Sequence, residues 1–182
     1  MTIVLVGMPG CGKSTAGRQL ARQMGWSFTD SDAEIERQIG CSIRSFFDRQ
    51  GEERFREIEQ QVVERLARPS QLVLATGGGA VLREANRRAF AQPGNHVVYL
   101  RATPEDLARR LRHDTHRPLL QGGDPLRRLR DLFRQRDPLY REVASFVLDT
   151  GRTSVPTLVN LLHMQLEMAG LSAKADGPPP GA

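Results

Sequence analysis

Cysteine, aromatic residues and lysine are all scarce in this chain, and none of its apolar runs is long. The two cysteines, Cys11 and Cys41, are too few for a disulfide framework, and Cys11 sits in a glycine-rich loop that a disulfide would obstruct, so a reducing, cytoplasmic setting is expected. No apolar stretch approaches the roughly 20 residues of a membrane-spanning helix, and no membrane partner is expected. The opening "MTIVLVG" has no basic residue ahead of its apolar core and is too short for a secretory signal; it reads as a first strand. Aromatic residues are only 5% of the chain, so platforms for stacking bases are few, although the net charge is +5 with a pI near 10.0. Arg54, Arg56 and Arg65 alternate with Glu52, Glu53, Glu57, Glu59 and Glu64, which argues against a nucleic-acid partner. Lysine occurs only at Lys13 and Lys174. Against that arginine-rich background, Lys13 hints that a compact ammonium is needed at its position.

What is present is a periodic alternation. Short apolar runs at 2–6, 71–76, 96–100 and 145–149 read as strands buried on both faces, and a weaker strand is expected to include Phe28. Segments 13–24, 32–39, 52–67, 83–91 and 103–112 read as helices, the last opening on Thr103 as N-cap, Pro104 at the first helical position and two acids. With 182 residues the chain suits one domain, at 1–170. The predicted class is α/β: a parallel sheet of five strands with helices on both faces and ligands at the carboxyl ends of the strands. Residues 112–125 contain glycine, proline and charge without apolar periodicity and read as a mobile lid, and residues 171–182 read as a disordered tail. No leftover apolar stripe is evident for a second copy, so a monomer is expected.

Gly7 to Ser14 satisfies G-x-x-x-x-G-K-[ST] between a predicted strand and a predicted helix. In that geometry the backbone N–H groups of Gly10, Cys11, Gly12, Lys13, Ser14 and Thr15 surround phosphates, Lys13 reaches the outer ones, and Ser14 ligates magnesium. The pattern establishes nucleotide binding but not the use of the nucleotide. After the second strand, Asp30 and Asp32 could divide the orienting of magnesium and the acceptance of a hydrogen bond from an incoming hydroxyl, and an aspartate there equally suits a helix N-cap. Arg56 and Glu59 lie one helical turn apart, the usual reading being an exposed ion pair. Gly77, Gly78 and Gly79 follow the third strand, where glycines admit a ligand close to the backbone or simply form a turn.

Together, the phosphate loop, Asp30-Ser31-Asp32, Phe47, Gly51-Glu52, Phe55-Arg56, the glycine triplet, Arg117-Pro118-Leu119-Leu120 and Arg136-Asp137-Pro138-Leu139-Tyr140 make the chain resemble shikimate kinase over about residues 2–165. The resemblance implies a three-layer P-loop kinase fold with a mobile lid, and transfer of the terminal phosphoryl group of ATP to the 3-hydroxyl of shikimate with Mg2+. It implies that Asp32 holds the substrate hydroxyls and that Asp30 acts on magnesium through its waters. Arg56 and Arg136 would bind the substrate carboxylate, Gly77 to Gly79 would close over the acceptor, and Phe47 and Phe55 would line its apolar side. Arg117 would close over the phosphates, while Arg110 and the segment from Arg152 to Pro156 would flank the adenine.

Three other readings remain open at this level: a gluconate or nucleoside monophosphate kinase, a nucleotide-binding regulatory module without turnover, and an arginine-rich nucleic-acid binder. Cys11 as a redox sensor and His113 with His116 as metal ligands are weaker than their plain readings as a small loop residue and solvated loop histidines.

Overall fold

A computed structural model describes residues 1–68, 70–112 and 123–171. Five strands form the sheet: β1 (Thr2–Val6), β2 (Ser27–Asp30), β3 (Leu72–Ala75), β4 (Asn95–Arg101) and β5 (Phe146–Asp149). All pairings are parallel, and the spatial order is β2-β3-β1-β4-β5. Val4 in the central strand stands opposite Leu74 on one side and Val97 on the other. Every residue of β1 and β3 is buried, as continuous apolar runs require when both faces of a parallel sheet are covered. The expectation of two-faced burial fails for β5, which like β2 is an edge of the sheet and alternates between half-buried and exposed positions.

Seven α-helices lie among the described residues: α1 (Lys13–Met24), α2 (Ser31–Ile39), α3 (Ile43–Leu66), α4 (Glu84–Phe90), α5 (Pro104–Leu111), α6 (Pro125–Val143) and α7 (Val155–Met168). Thr103 caps α5 through a hydrogen bond from the Asp106 N–H, as its sequence predicts. The element expected at 52–67 begins earlier, at Ile43, and is interrupted at Gly51, whose φ of 81° and ψ of 167° are not helical. Ser42 caps the first half, and Ile43, Phe46 and Phe47 pack against a small core of Ile35, Phe55, Ile58 and Val62 between α2 and α3. Helices α6 and α7 lie beyond the expected helical segments, although each opens on a capping side chain and a proline: Asp124 with Pro125, and Ser154 with Pro156.

The main core joins the sheet to α1, the end of α3, α4, α5, α6 and α7, with Tyr99, Tyr140, Phe90 and Leu162 among its fully buried side chains. Leu171, expected to open the tail, packs against this core and donates its N–H to the Leu166 carbonyl. The rest of the expected tail and nearly all of the expected lid, with Arg117, His113 and His116, lie outside the described residues. No helix among the described residues is long and apolar enough to cross a membrane. Leu161, Met164 and Met168 are exposed on α7.

Candidate active site

Three loops meet at the carboxyl ends of β1, β2 and β3, and they bound a cleft of about 300 Å³. The first leaves β1 at Gly7, where a Cβ would stand 2.5 Å from the Leu100 carbonyl oxygen, and enters α1 through Gly12 at φ 94°. No side chain fits the first position, and the second is left-handed backbone that favours glycine. Lys13 is buried, and its ammonium donates to the carbonyls of Gly7 at 2.8 Å and Met8 at 2.9 Å. The start of α1 turns the N–H groups of its first turn toward the same cleft, a ready anion site.

From β2 comes Asp30, which takes the helix-capping place its sequence position suits. Its Oδ1 caps α2 by accepting the N–H groups of Asp32 at 2.9 Å and Ala33 at 3.2 Å, while its other oxygen accepts the Ser14 hydroxyl. Asp32, one turn into the cleft, is pushed up to about 6: burial is the main cause, the charges of Asp30 and Glu59 add to it, and Lys13 opposes it. A carboxyl that titrates near neutrality and borders a phosphate loop can accept a proton.

The glycine triplet follows β3. None of its three residues has a left-handed φ, so space rather than backbone conformation demands glycine. A Cβ on Gly77 would overlap the Asp32 carboxylate, one on Gly78 would stand 2.6 Å from the ring of Pro9, and one on Gly79 would stand 2.5 Å from the Arg56 guanidinium. The triplet is thus packed between the phosphate loop, the acid and the arginine. Ser31, for which no role was expected, accepts the Gly77 N–H at 3.0 Å, and the Tyr140 hydroxyl donates to the Gly78 carbonyl at 2.6 Å. The sequence signal for Ser31 is its place between the two aspartates.

The Arg56 and Glu59 pair is buried, not exposed as its spacing suggests. Glu59 is 1% exposed and bonds Arg56 at 2.8 Å. Burial raises the Glu59 carboxyl, and Arg56 beside it and then Arg136 pull it back down. Arg136 on α6 therefore faces the same cluster. Arg56 and Arg136 each keep a buried Nε with no hydrogen-bond partner among the described residues. Phe55 is buried below Arg56, whose guanidinium lies over its ring, and Phe47 packs on Phe55 with centroids 4.7 Å apart. The two phenylalanines thus pack under the arginine.

A second cleft of about 400 Å³ shares Gly10, Gly12 and Thr15 with the first and continues past Cys11 to Arg110, Thr153, Ser154 and Val155. Arg110 ties its walls together, donating to the carbonyls of Cys11 at 3.2 Å and Thr150 at 2.6 Å. Arg152, expected to flank this region, is exposed and does not line it; its neighbours Thr153 to Val155 do. Both cysteines are free, and Cys11 is buried.

Magnesium suits the oxygens here. The Ser14 hydroxyl and the Asp30 carboxylate meet in the first cleft with Asp32 close by, all hard donors. Among the described residues no group of three or more His, Cys, Asp or Glu could cage a metal, and magnesium in phosphoryl transfer takes only one or two protein ligands beside the phosphates.

The same arrangement of loops occurs in known proteins. Residues 9–167 match the family model described as shikimate kinase. A shikimate kinase of Paracidovorax citrulli is 54% identical over 94% of each chain, and one of Burkholderia thailandensis is 51% identical over 96% of this chain and 94% of the relative. The solved shikimate kinase from Acinetobacter baumannii in complex with shikimate superposes with a TM-score of 0.85 at 43% identity, covering 93% of each chain. With the family model spanning most of its length and the phosphate loop, paired aspartates and glycine triplet converging at one end of the sheet, this chain belongs to the shikimate kinase family.

Proposed function

We propose that this protein transfers the terminal phosphoryl group of ATP to the 3-hydroxyl of shikimate, giving shikimate 3-phosphate and ADP in aromatic amino acid biosynthesis. The observation that carries this reading is the double cleft: a trough past the phosphate loop to Arg110 and Val155 for a nucleotide, joined to a pocket lined by Asp30, Asp32, Gly77 and Gly78, with Arg56 packed against Gly79 beside it. Acceptor and donor would meet at Lys13 and Asp32.

In this reading Arg56 and Arg136 grip the acceptor carboxylate, for which a planar guanidinium is geometrically matched. Glu59 holds Arg56 in place. The Asp32 carboxylate accepts a hydrogen bond from the 3-hydroxyl and takes its proton as the hydroxyl oxygen bonds to the terminal phosphorus. The bond from that phosphorus to the bridging oxygen breaks, and ADP leaves with the electron pair. Phosphoryl transfer needs alignment and cationic charge more than covalent participation. Lys13 supplies such charge by swinging its flexible stem from the loop carbonyls to the phosphates, and the N–H groups from Gly10 to Thr15 cradle them. Magnesium, when bound through Ser14 and through waters oriented by Asp30, would neutralise charge on the outer phosphates. Arg117 is assigned to the phosphates and Arg110 to the adenine, with Thr153 to Val155 in place of Arg152 as its neighbours. The free cysteines fit a cytoplasmic enzyme.

The test is ADP release from ATP and magnesium with shikimate, gluconate or AMP as acceptor. Stimulation by shikimate alone is the expected result; nucleotide binding without stimulation by any acceptor would make the protein a binding module.

A further inference from the structure

Tyr140 belongs to none of the roles above, yet its side chain is fully buried at the junction of three of them. Its hydroxyl donates to the Gly78 carbonyl at 2.6 Å, 62 residues away in the chain, and its ring packs on Tyr99 with centroids 4.9 Å apart. On α6 it follows Arg136 by one turn and shares its face. The charge of Arg136 also opposes the upward push of burial on the phenol more than that of any other cation.

The glycine triplet has no side chains of its own to hold it. On one side the Ser31 hydroxyl accepts the Gly77 N–H; on the other, Tyr140 is the side chain that bonds the Gly78 carbonyl. Between these two contacts lie the surfaces that meet Asp32, Pro9 and Arg56. A Cβ on Gly78 would already meet the ring of Pro9, so this part of the loop lies close against the phosphate loop.

We infer that Tyr140 is a positioning residue for the acceptor: its phenol locks the glycine triplet to the helix that carries Arg136, so that the loop beside Asp32 and the second carboxylate-binding arginine keep one spacing. The inference rests on the proposed reaction, because only that reading makes this spacing the acceptor site. Tyr99 is the built-in contrast. Its hydroxyl donates to Asp137 at 2.7 Å, away from the glycine loop, and Asp137 retains Arg141 and Arg101 as partners if that bond is lost.

The experiment compares Tyr140→Phe and Tyr99→Phe with the unaltered protein in melting temperature and in the Michaelis constants for shikimate and ATP. Each variant removes one hydroxyl from the same stacked pair and keeps the ring. Tyr140→Phe should raise the shikimate Michaelis constant by at least about fivefold, the effect of an unpaired buried carbonyl, with the ATP constant within about twofold. Tyr99→Phe should leave both constants near those of the unaltered protein. An unchanged shikimate constant in a folded Tyr140→Phe protein overturns the inference, as does a parallel change of both constants in both variants, which would mark a structural role. If the unaltered protein shows no shikimate-dependent turnover, the proposed reaction itself fails and this inference with it, a result distinct from either of the others.

Discussion

Asp32 is held where its charge is least welcome, within reach of Asp30 and Glu59 and largely out of water, and its carboxyl is accordingly pushed up to about 6. If it must be ionised to take the hydroxyl proton, turnover with shikimate should fall on the acid side with a midpoint near pH 6. A pH profile of kcat/KM checks this, and in Asp32→Asn the residual rate should have no such limb. Glu59 answers to a different logic, because it is buried against a cation. Glu59→Ala should leave Arg56 without its buried counter-charge and cost about 3 kcal/mol or more of stability, with a higher shikimate Michaelis constant. A melting curve and steady-state kinetics would show both effects, and a loss of stability without the kinetic change would detach Glu59 from acceptor binding. The sequence shows these residues and their spacing but not their burial: three positions on a helix describe a solvated pair as readily as a buried one. Only the packing of α3 against the loop after β3 makes Glu59 1% exposed.

Among the elements, the glycine triplet joins two loops that the chain separates by more than 60 residues. Because each glycine faces a different neighbour, substitutions there should separate by ligand. Gly79→Ala pushes on the flexible Arg56 guanidinium and should raise the shikimate constant with little effect on ATP. Gly78→Ala pushes on the ring and backbone nitrogen of Pro9 in the phosphate loop and should impair both substrates. Michaelis constants for each ligand distinguish the two cases; equal effects from both would mean that the triplet responds as one rigid turn. The strands and the helices α1 and α5 were legible because apolar runs, Thr103-Pro104 and the first glycine loop carry local signals, whereas α6 and α7 were not expected although Asp124-Pro125 and Ser154 with Pro156 open them. The half-helix ahead of Gly51 was not. Its apolar residues pack against Ile35 and Phe55 on other segments, contacts with no trace in the local pattern.

For the molecule as a whole, the raised carboxyl of Asp32 is a cost to stability. A carboxyl whose value is near 3.8 when unfolded and about 6 when folded favours the fold fully below 3.8, and that contribution is lost as the pH rises through 6. At pH 7 to 8, Asp32→Asn should therefore melt a few degrees higher than the unaltered protein, on the order of 1–3 kcal/mol, while losing turnover; the gap should close below pH 4. Calorimetry at the two pH values tests the sign. Local chemistry along the chain was enough to specify the strand-loop-helix phosphate site, the alternation that makes an α/β parallel sheet, and the loops at the carboxyl ends of the strands, because each depends on residues near one another in sequence. The strand order β2-β3-β1-β4-β5 required the folded sheet, and it puts β1, β2 and β3 side by side. That adjacency gathers Lys13, Asp32, Gly77 and Gly78 around one cleft, with Arg56 packed against Gly79, and it removes enough water to shift Asp32 and to bury Glu59. Desolvation and contact between distant segments are properties of the folded molecule alone, which is why Tyr140, given no role of its own in the sequence, emerges as a link between the acceptor loop and α6.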